Sequence, residues 1–273
     1  MTFSIVARSA DGESWGVAVA SKFLAVGAVV PAAVAQVGAI ATQANANVAY
    51  KGLTLAHLDA GATAPVALLR LLEEDEAREE RQVGIVDVDG GSASHTGQAC
   101  IDWAGSLTGD GYAIQGNCLT GPEVVDVMEA VWLAGDDDAP FAGRLLDVLA
   151  AGDEAGGDKR GRQSAALLVV RDGAGYAGGD DIAVDLRVDD HETPIDELTR
   201  LLGLNELYLT ASTDEEKVPV SDGLRAELEE FARTEGHPDF ASWVGSENYE
   251  MRVADDLSWI DQRVLDVVQR GGG

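Results

Sequence analysis

The sequence is short of basic residues. Its 273 residues include 48 Asp and Glu but only 19 Lys and Arg, and the formal net charge at pH 7 is −29. A surface of this charge repels the phosphates of nucleic acids and of anionic membranes, so neither is expected as a partner. The acidic excess favours a protein adapted to high salt, where counter-ions screen self-repulsion, over an ordinary acidic surface.

Cysteine and the common cofactor motifs are equally scarce. Cys100 and Cys118 are too few and too far apart for a zinc site or a disulfide framework, which favours a reducing cytoplasm. The sequence contains no G-x-G-x-x-G, P-loop or G-x-S-x-G motif, and no metal-ligand spacing occurs among its four histidines, His57, His95, His191 and His237. We therefore expect neither a metal nor another cofactor.

One long apolar run raises the question of a membrane span. Residues 23–41 contain no charge, which meets the length criterion for a span. However, Pro31 and Gln36 interrupt the run, Ala and Gly dominate it, and its Val and Ile residues form two clusters. This pattern predicts two buried strands, over residues 26–30 and 37–43, rather than a transmembrane helix. Charges before the run also argue against a signal peptide.

Alternating strand and helix patterns organise the rest of the chain. Strands are predicted over residues 2–8, 15–21, 82–96 (as a hairpin), 111–119, 164–170 and 182–190. Helices are predicted over residues 50–61, 63–80 (with Thr63 as N-cap), 123–134, 140–152 and 194–209. Antiparallel hairpins alternating with helix pairs favour two stacked sheets covered by helices over a doubly wound parallel sheet. Residues 1–209 are the predicted main domain, and residues 210–273 a small helical C-terminal appendage.

The first eight residues, MTFSIVAR, combine a strand pattern with a candidate nucleophile. Removal of Met1 would give Thr2 a free α-amino group, which can take the proton from the Thr2 hydroxyl. The reference pKa of such an amine, about 7.7–8.0, leaves a useful neutral fraction near pH 7. Thr2 is therefore either a catalytic N-terminal residue or simply the first residue of a strand.

Several separated segments, in one order, resemble a known family. They are MTFSIVAR, GVAVASKFLAVGAVVP, VGAIATQA, QVGIVDVDG, YAIQGN, GPEVVDVM, GGDKRGRQSAALLVVR and VDLRVDDH. Together they resemble DUF1028, a family of unknown function whose members are similar in fold to N-terminal nucleophile (Ntn) hydrolases. The resemblance covers Thr2 to about Tyr208, and EEKVP and WVGSENYEMR extend it into the tail. It implies an α+β fold, a four-layer αββα sandwich of two mainly antiparallel sheets, with Thr2 at the nucleophile position.

A nucleophile at Thr2 needs supporting groups at the same end of the sheet. Gly116 and Asn117 end a predicted strand, and their backbone and side-chain N–H groups suit an oxyanion hole. A glycine bulge with a turn-capping Asn is the equal alternative. Lys22 ends the second strand, where its charge would lower the pKa of the nucleophile and attract an anion. A solvated lysine at a strand end is the alternative.

Two further segments are candidates for substrate binding. The loop GGDKRGRQS contains Lys159 and Arg162, which can hold a carboxylate, and Asp158, which can hold an amine. Its alternative is a surface loop whose basic residues pair with neighbouring acids. The segment ATQANAN contains Thr42 and Gln43 at the end of a predicted buried strand, where they could bind a polar substrate group; turn chemistry from Asn45 and Asn47 is the equal alternative.

These features predict an Ntn-type amide hydrolase. Thr2 would cleave a C–N amide bond in a small carboxylate-bearing metabolite or short peptide, aided by Lys22, Gly116 and Asn117. The alternative is a non-catalytic binding or assembly protein on the same scaffold. The expected partner is the small amide or peptide, and the sequence leaves a homo-oligomer open.

Overall fold

The structure is a computed structural model that describes residues 2–271. Its chain forms two compact units, which divide between Leu201 and Leu202, inside one helix. The predicted boundary, after residue 209, lies at the end of that same helix and stays a prediction.

The larger sheet of the first unit has six antiparallel strands. Their spatial order is β10-β9-β2-β1-β8-β7, so the first strand lies near the centre between the second and the eighth. The strands are β1 (Thr2–Arg8), β2 (Ser14–Ser21), β7 (Gly105–Gly109), β8 (Tyr112–Asn117), β9 (Ser164–Arg171) and β10 (Ile182–Val188).

The smaller sheet has four antiparallel strands in the order β3-β4-β5-β6. They are β3 (Pro31–Val34), β4 (Gly38–Ala44), β5 (Arg81–Asp87) and β6 (Ser92–Thr96). Apolar side chains fill the space between the two sheets, among them Val17 and Val19 from β2 and Val86 from β5. Side chains on both faces of β1 and β2 are buried, because the other sheet covers one face and helices cover the opposite face.

Helices form the two outer layers. Those on the six-stranded sheet are α4 (Glu123–Ala134) and α5 (Phe141–Glu154); those on the four-stranded sheet are α2 (Ala49–Asp59) and α3 (Ala64–Glu74). The close approach of α5 to β2 requires Gly16, since a Cβ there would lie 2.6 Å from Leu145 Cδ1. The layers therefore run helix, sheet, sheet, helix, and the predicted αββα sandwich is confirmed.

One predicted strand is wrong. Residues Val26–Val29 form a short helix, α1, and the strand β3 begins only at Pro31. The helix fits closely against the sheet, because a Cβ on Gly27 would lie 2.6 Å from Ala166 Cβ. The Val26 N–H donates to Ser164 Oγ at 3.1 Å. A short buried apolar run carries no periodicity that separates these two structures, which explains the error.

Leu202 onward forms the second unit. The long helix α6 (Pro194–Leu209) leads into it, followed by β11 (Lys217–Pro219), α7 (Asp222–Thr234), α8 (Phe240–Ser246), β12 (Trp259–Asp261) and α9 (Gln262–Arg270). Its core contains Phe240, Trp243 and Ile260. A buried ion pair joins Arg252 Nη1 to Asp261 Oδ2 at 2.9 Å. The predicted appendage helices are present, but α8 and the β11–β12 pair carry no clear pattern in the sequence.

Within residues 2–271, no helix is both long enough and apolar enough to cross a membrane.

Asp87 ties the start of α3 to the hairpin between β5 and β6. Thr63 occupies the N-cap position of α3, as predicted, but its hydroxyl makes no capping bond. Instead Asp87 Oδ2 accepts from the Ala64 N–H at 2.8 Å, and Oδ1 accepts from the N–H groups of Asp89 and Gly91. The Asp87 carbonyl also accepts from Trp15 Nε1 of the other sheet.

Replacement of Asp87 should therefore destabilise the first unit. The Asp87→Ala variant leaves three backbone N–H groups without their acceptor, and we expect a loss of about 2–4 kcal/mol in the free energy of unfolding. Chemical denaturation followed by tryptophan fluorescence measures it. Asp89→Ala, an exposed carboxylate in the same turn, is the matched control and should change the midpoint little. Equal small shifts in both variants would contradict the assigned role.

Candidate functional site

Thr2 begins the central strand of the larger sheet. It lies opposite Asn117 of β8, and its Oγ1 is 3.1 Å from the Oγ of Ser21, the last residue of β2. Ser21 in turn pairs with Ser164, the first residue of β9. Three neighbouring strands therefore bring small hydroxyl side chains to one end of the sheet. The Thr2 residue is only 4 % exposed. Met1, and with it the predicted cleavage of the Met1–Thr2 bond, lies outside the described residues.

A cluster of buried amide side chains lies between the two sheets beneath Thr2. We call Gln43, Gln82, Gln115 and Asn117 the amide cluster; all four are at most 1 % exposed. Gln43 Nε2 donates to the Thr2 carbonyl oxygen at 3.2 Å, and Asn117 Nδ2 lies 3.4 Å from the same oxygen. Two amides from different sheets therefore hold the backbone of Thr2.

Gln82 connects the members of the amide cluster. Its Oε1 accepts from Gln43 Nε2 and from Asn117 Nδ2, both at 2.8 Å. Its Nε2 donates to the carbonyl oxygens of Gly116, at 2.7 Å, and Gly105, at 3.2 Å. Its Nε2 also lies 3.0 Å from Thr96 Oγ1, so one side chain from β5 bonds to four other strands, β4, β6, β7 and β8. Such a network is costly to break, because each buried amide left without a partner loses its solvation as well.

Ser4 and Gln115 extend the cluster along β1. Ser4 Oγ donates to Gln43 Oε1 at 2.7 Å and lies 2.6 Å from Gln115 Nε2. Gln115 Oε1 makes no hydrogen bond to any residue that the structure describes, and it faces the position where a Cβ on Gly84 would lie, 2.0 Å away. Only glycine at position 84 leaves room for this amide.

The predicted oxyanion donors are beside Thr2 but already engaged. Gly116 pairs with Phe3 of β1 and Gly105 of β7, and its carbonyl accepts from Gln82. The Asn117 amide donates to Gln82 rather than toward an open space. The sequence predicts that Gly116 and Asn117 lie near Thr2. Their role in an oxyanion hole stays a prediction.

Lys22 directly follows Ser21 and reaches the glycine-rich loop. Its backbone N–H donates to Asp158 Oδ2 at 2.9 Å, and its Nζ donates to the Arg162 carbonyl oxygen at 3.2 Å. The loop itself is fixed beside Asn117, because Lys159 N–H donates to the Cys118 carbonyl and Thr120 N–H to the Gly157 carbonyl. The structure therefore brings the predicted basic loop to the Thr2 end of the sheet.

The charged residues of this loop have partners within the chain. Asp158 is buried and bonded to Arg160 as well as Lys22, so its carboxylate serves the loop itself. Lys159 Nζ donates to the Asp102 carbonyl oxygen at 2.5 Å. Arg162 Nε pairs with Asp153 at 2.8 Å, and this contact raises the pKa of the Arg162 guanidinium. Pairing of the basic loop residues with neighbouring acids is the alternative to ligand binding that was considered for this loop from the sequence.

Thr42 and Gln43 lie in the interior rather than on a ligand-accessible surface. Thr42 is fully buried, and its Oγ1 donates to the Asn47 carbonyl oxygen at 3.3 Å. Gln43 belongs to the amide cluster. In this arrangement neither side chain is open to a substrate, and Gln43 acts on the site by holding Thr2.

Open space near this end of the sheet surrounds Arg162. A cleft of about 440 Å³ is lined by Lys22, Arg162, His191 and neighbouring residues. His191 Nδ1 accepts from the Thr193 N–H at 3.1 Å, which leaves Nε2 as the protonated nitrogen of the neutral ring. Thr2 does not line this cleft. Three residues of this region were not predicted from the sequence: Ser21, Gln82 and His191. Only Gln82 stands out in the sequence, because it is a large amide at the start of an apolar strand.

Other reactive groups give no competing site within the described chain. Burial raises the pKa of the Cys100 thiol, which keeps it in its less nucleophilic, protonated form. Among residues 2–271, no three His, Cys, Asp or Glu side chains are grouped to hold a metal ion.

Comparison with known proteins identifies the family. Residues 2–198 match the model of DUF1028, described as a family of unknown function. The crystal structure of protein SPO2555 from Silicibacter pomeroyi, assigned to the same family model, is 30% identical with a TM-score of 0.68, covering 78% of this chain and 90% of that one. The chain therefore belongs to the DUF1028 family. No protein of curated function matches it.

Two other solved structures are more distant. Anbu (ancestral beta-subunit) from Yersinia bercovieri is 8% identical with a TM-score of 0.33, over 74% of this chain and 94% of that one. An Anbu (Gly-1) mutant from Hyphomicrobium sp. strain MC1 is 8% identical with a TM-score of 0.30, over 78% and 99%. Likenesses at this level carry no conclusion about activity.

Removal of the Gln82 amide should weaken the join between the sheets. Gln82→Met keeps the side-chain length but removes the 2.8 Å acceptor of the Gln43 and Asn117 amides, which keep only longer contacts to backbone carbonyls, so we expect a loss of about 3 kcal/mol in the free energy of unfolding. Urea denaturation measures it. Gln98→Met, at an exposed position, is the control. A Gln82→Met midpoint within error of the control would show that the cluster contributes no stability.

Proposed function

We propose that this protein is an amide hydrolase in which Thr2, freed of Met1, is the nucleophile. Thr2 Oγ attacks the carbonyl carbon of the substrate while the α-amine takes the hydroxyl proton. The C–N bond then breaks, the same amine returns the proton to the leaving nitrogen, and water hydrolyses the resulting ester.

The contact between Thr2 Oγ1 and Ser21 Oγ carries this proposal, together with the buried support beneath it. A nucleophile must keep its geometry through the reaction, and the Thr2 carbonyl is held by Gln43 and Asn117. Ser21 is within hydrogen-bond distance of the reacting oxygen, so it can orient the hydroxyl. Membership of a family that resembles Ntn hydrolases supports the same assignment.

The substrate proposed is a small amide or short peptide that bears a carboxylate. Lys22 and the Nε2–H of His191 line the cleft beside the loop and are donors that suit an anionic group; Asp190 and Glu192 line the same cleft. The net charge of −29 opposes nucleic acid and anionic membrane partners, and a cytoplasmic, high-salt setting fits the composition.

A second candidate function is ligand binding without turnover on the same fold. The burial of Thr2, and its absence from the lining of the cleft at Lys22, favour this candidate. In that case Lys22, His191 and the loop would bind an anion, and Thr2 would only begin a strand.

Activity measurements on matched variants separate the two candidates. The protein is first checked by intact-mass analysis for loss of Met1, then assayed against a panel of small amides and dipeptides by detection of the released amine. We expect Thr2→Ala to lose at least about a thousandfold in kcat/KM, since the nucleophile is absent. Thr54→Ala, which removes a buried hydroxyl with no hydrogen-bond partner in the described part of the chain, is the control and should keep full activity.

Retention of Met1 in the folded, active protein would refute the N-terminal mechanism. An activity that survives in Thr2→Ala would refute Thr2 as the nucleophile.

A further inference from the structure

Arg8 lies at the opposite end of β1 from Thr2, beside a separate cleft. Six residue steps at about 3.3 Å each place it about 20 Å from the proposed nucleophile. The cleft has a volume of about 400 Å³, and its lining includes Arg8, Asp110, Trp132 and Arg144. Nothing in the proposed hydrolytic chemistry uses it.

The Arg8 guanidinium has no counter-ion in the part of the chain that the structure describes. Its Nε is buried without a hydrogen-bond partner, and no carboxylate of residues 2–271 forms an ion pair with it. This is unexpected for a chain with 48 acidic and 19 basic residues, in which arginines such as Arg81, Arg162 and Arg171 are paired. Asp110 and Asp137 line the same cleft, but neither forms an ion pair with Arg8.

The structure holds Arg8 in place by other means. Its guanidinium lies 5.7 Å from the centre of the Trp15 ring. It also fills the space beside Gly12, where a Cβ would lie 2.3 Å from Arg8 Nη2. Gly12 adopts a φ of +75°, so both the turn and the arginine require glycine there. The cation is therefore positioned by its neighbours without being neutralised by them.

Arg144 supplies a second guanidinium to the cleft. It is only 8 % exposed, lies 4.5 Å from the centre of the Trp132 ring, and has a buried Nε with no hydrogen-bond partner among residues 2–271. Its Nη2 donates to the Trp132 carbonyl oxygen, and its Nη1 pairs with Asp137 at 2.9 Å. The Asp137 side chain is 73 % exposed, so this ion pair is screened by solvent and is replaceable.

We propose that this cleft, defined by Arg8 and Arg144, is a binding site for a small oxyanion, either a carboxylate or a phosphate. Both anions present oxygens at the spacing of the guanidinium N–H groups. An oxyanion in the cleft reaches the Nη groups of Arg8. Its oxygens accept the hydrogen bonds for which Arg8 has no carboxylate partner among the described residues. The bound anion competes with Asp137 for Arg144.

Isothermal titration calorimetry tests the site with two probes, inorganic phosphate and succinate, at constant ionic strength with chloride. The probe that binds identifies the anion. In Arg8→Gln we expect its dissociation constant to rise at least about tenfold, since the charged fork is lost. Arg70→Gln, which removes an arginine elsewhere on the first unit, is the matched control and should bind as the unmodified protein does.

A second variant changes affinity in the other direction. Asp137→Asn removes the carboxylate that competes for Arg144, so the bound probe should bind at least about threefold more tightly. General damage to the fold does not produce tighter binding. Asp137→Asn decides the question if Arg8→Gln fails to fold by circular dichroism.

The proposal is overturned if neither phosphate nor succinate binds the unmodified protein. It is equally overturned if folded Arg8→Gln binds the probe as Arg70→Gln does, or if Arg8→Gln does not fold and Asp137→Asn leaves the affinity unchanged.

Discussion

The hydrogen bonds of the Gln82 amide join the two sheets, and the position of Thr2 depends on them. Gln82 accepts from Gln43 and Asn117, and these two amides hold the Thr2 carbonyl oxygen. A sandwich of two sheets ordinarily relies on apolar contacts, which fix the spacing of the sheets but not their exact register. Directional hydrogen bonds between buried amides fix the register of one sheet relative to the other at the end of the sandwich where Thr2 lies. The same bonds occupy Asn117, so the site is more closed than its residue types suggest.

Much of the fold follows from the sequence, because most of its strands and helices have strong periodic patterns. Helix α6 is predicted with its observed bounds, and the strands β1 and β9 are predicted to within a residue. The error at Val26–Val29 has a local cause: a short run of four apolar residues suits a strand or a helical turn equally. Strand β7 was missed because glycines bound it and only one of its residues, Leu107, is large and apolar.

The site is less predictable than the fold, since it depends on contacts between residues far apart in the sequence. Strand order brings Ser21, Asn117 and the loop of Lys159 and Arg162 to the end of the sheet where Thr2 lies. The sequence indicates each of these segments but not how its polar atoms are used. Gln43 resembles a ligand-binding residue in the sequence, yet its hydrogen bonds are all internal. The pairing of Arg162 with Asp153 is likewise visible only in three dimensions.

The proposed mechanism requires Thr2 to combine a held hydroxyl with a free amine. The most direct measurement is peptide mapping by mass spectrometry after treatment with a peptide epoxyketone, which condenses with the hydroxyl and the amine of an N-terminal threonine. We expect one adduct, on Thr2 of the chain that lacks Met1, and none in Thr2→Ala. An unmodified Thr2 in folded protein that lacks Met1, with the adduct on another residue or absent at saturating probe, would contradict it.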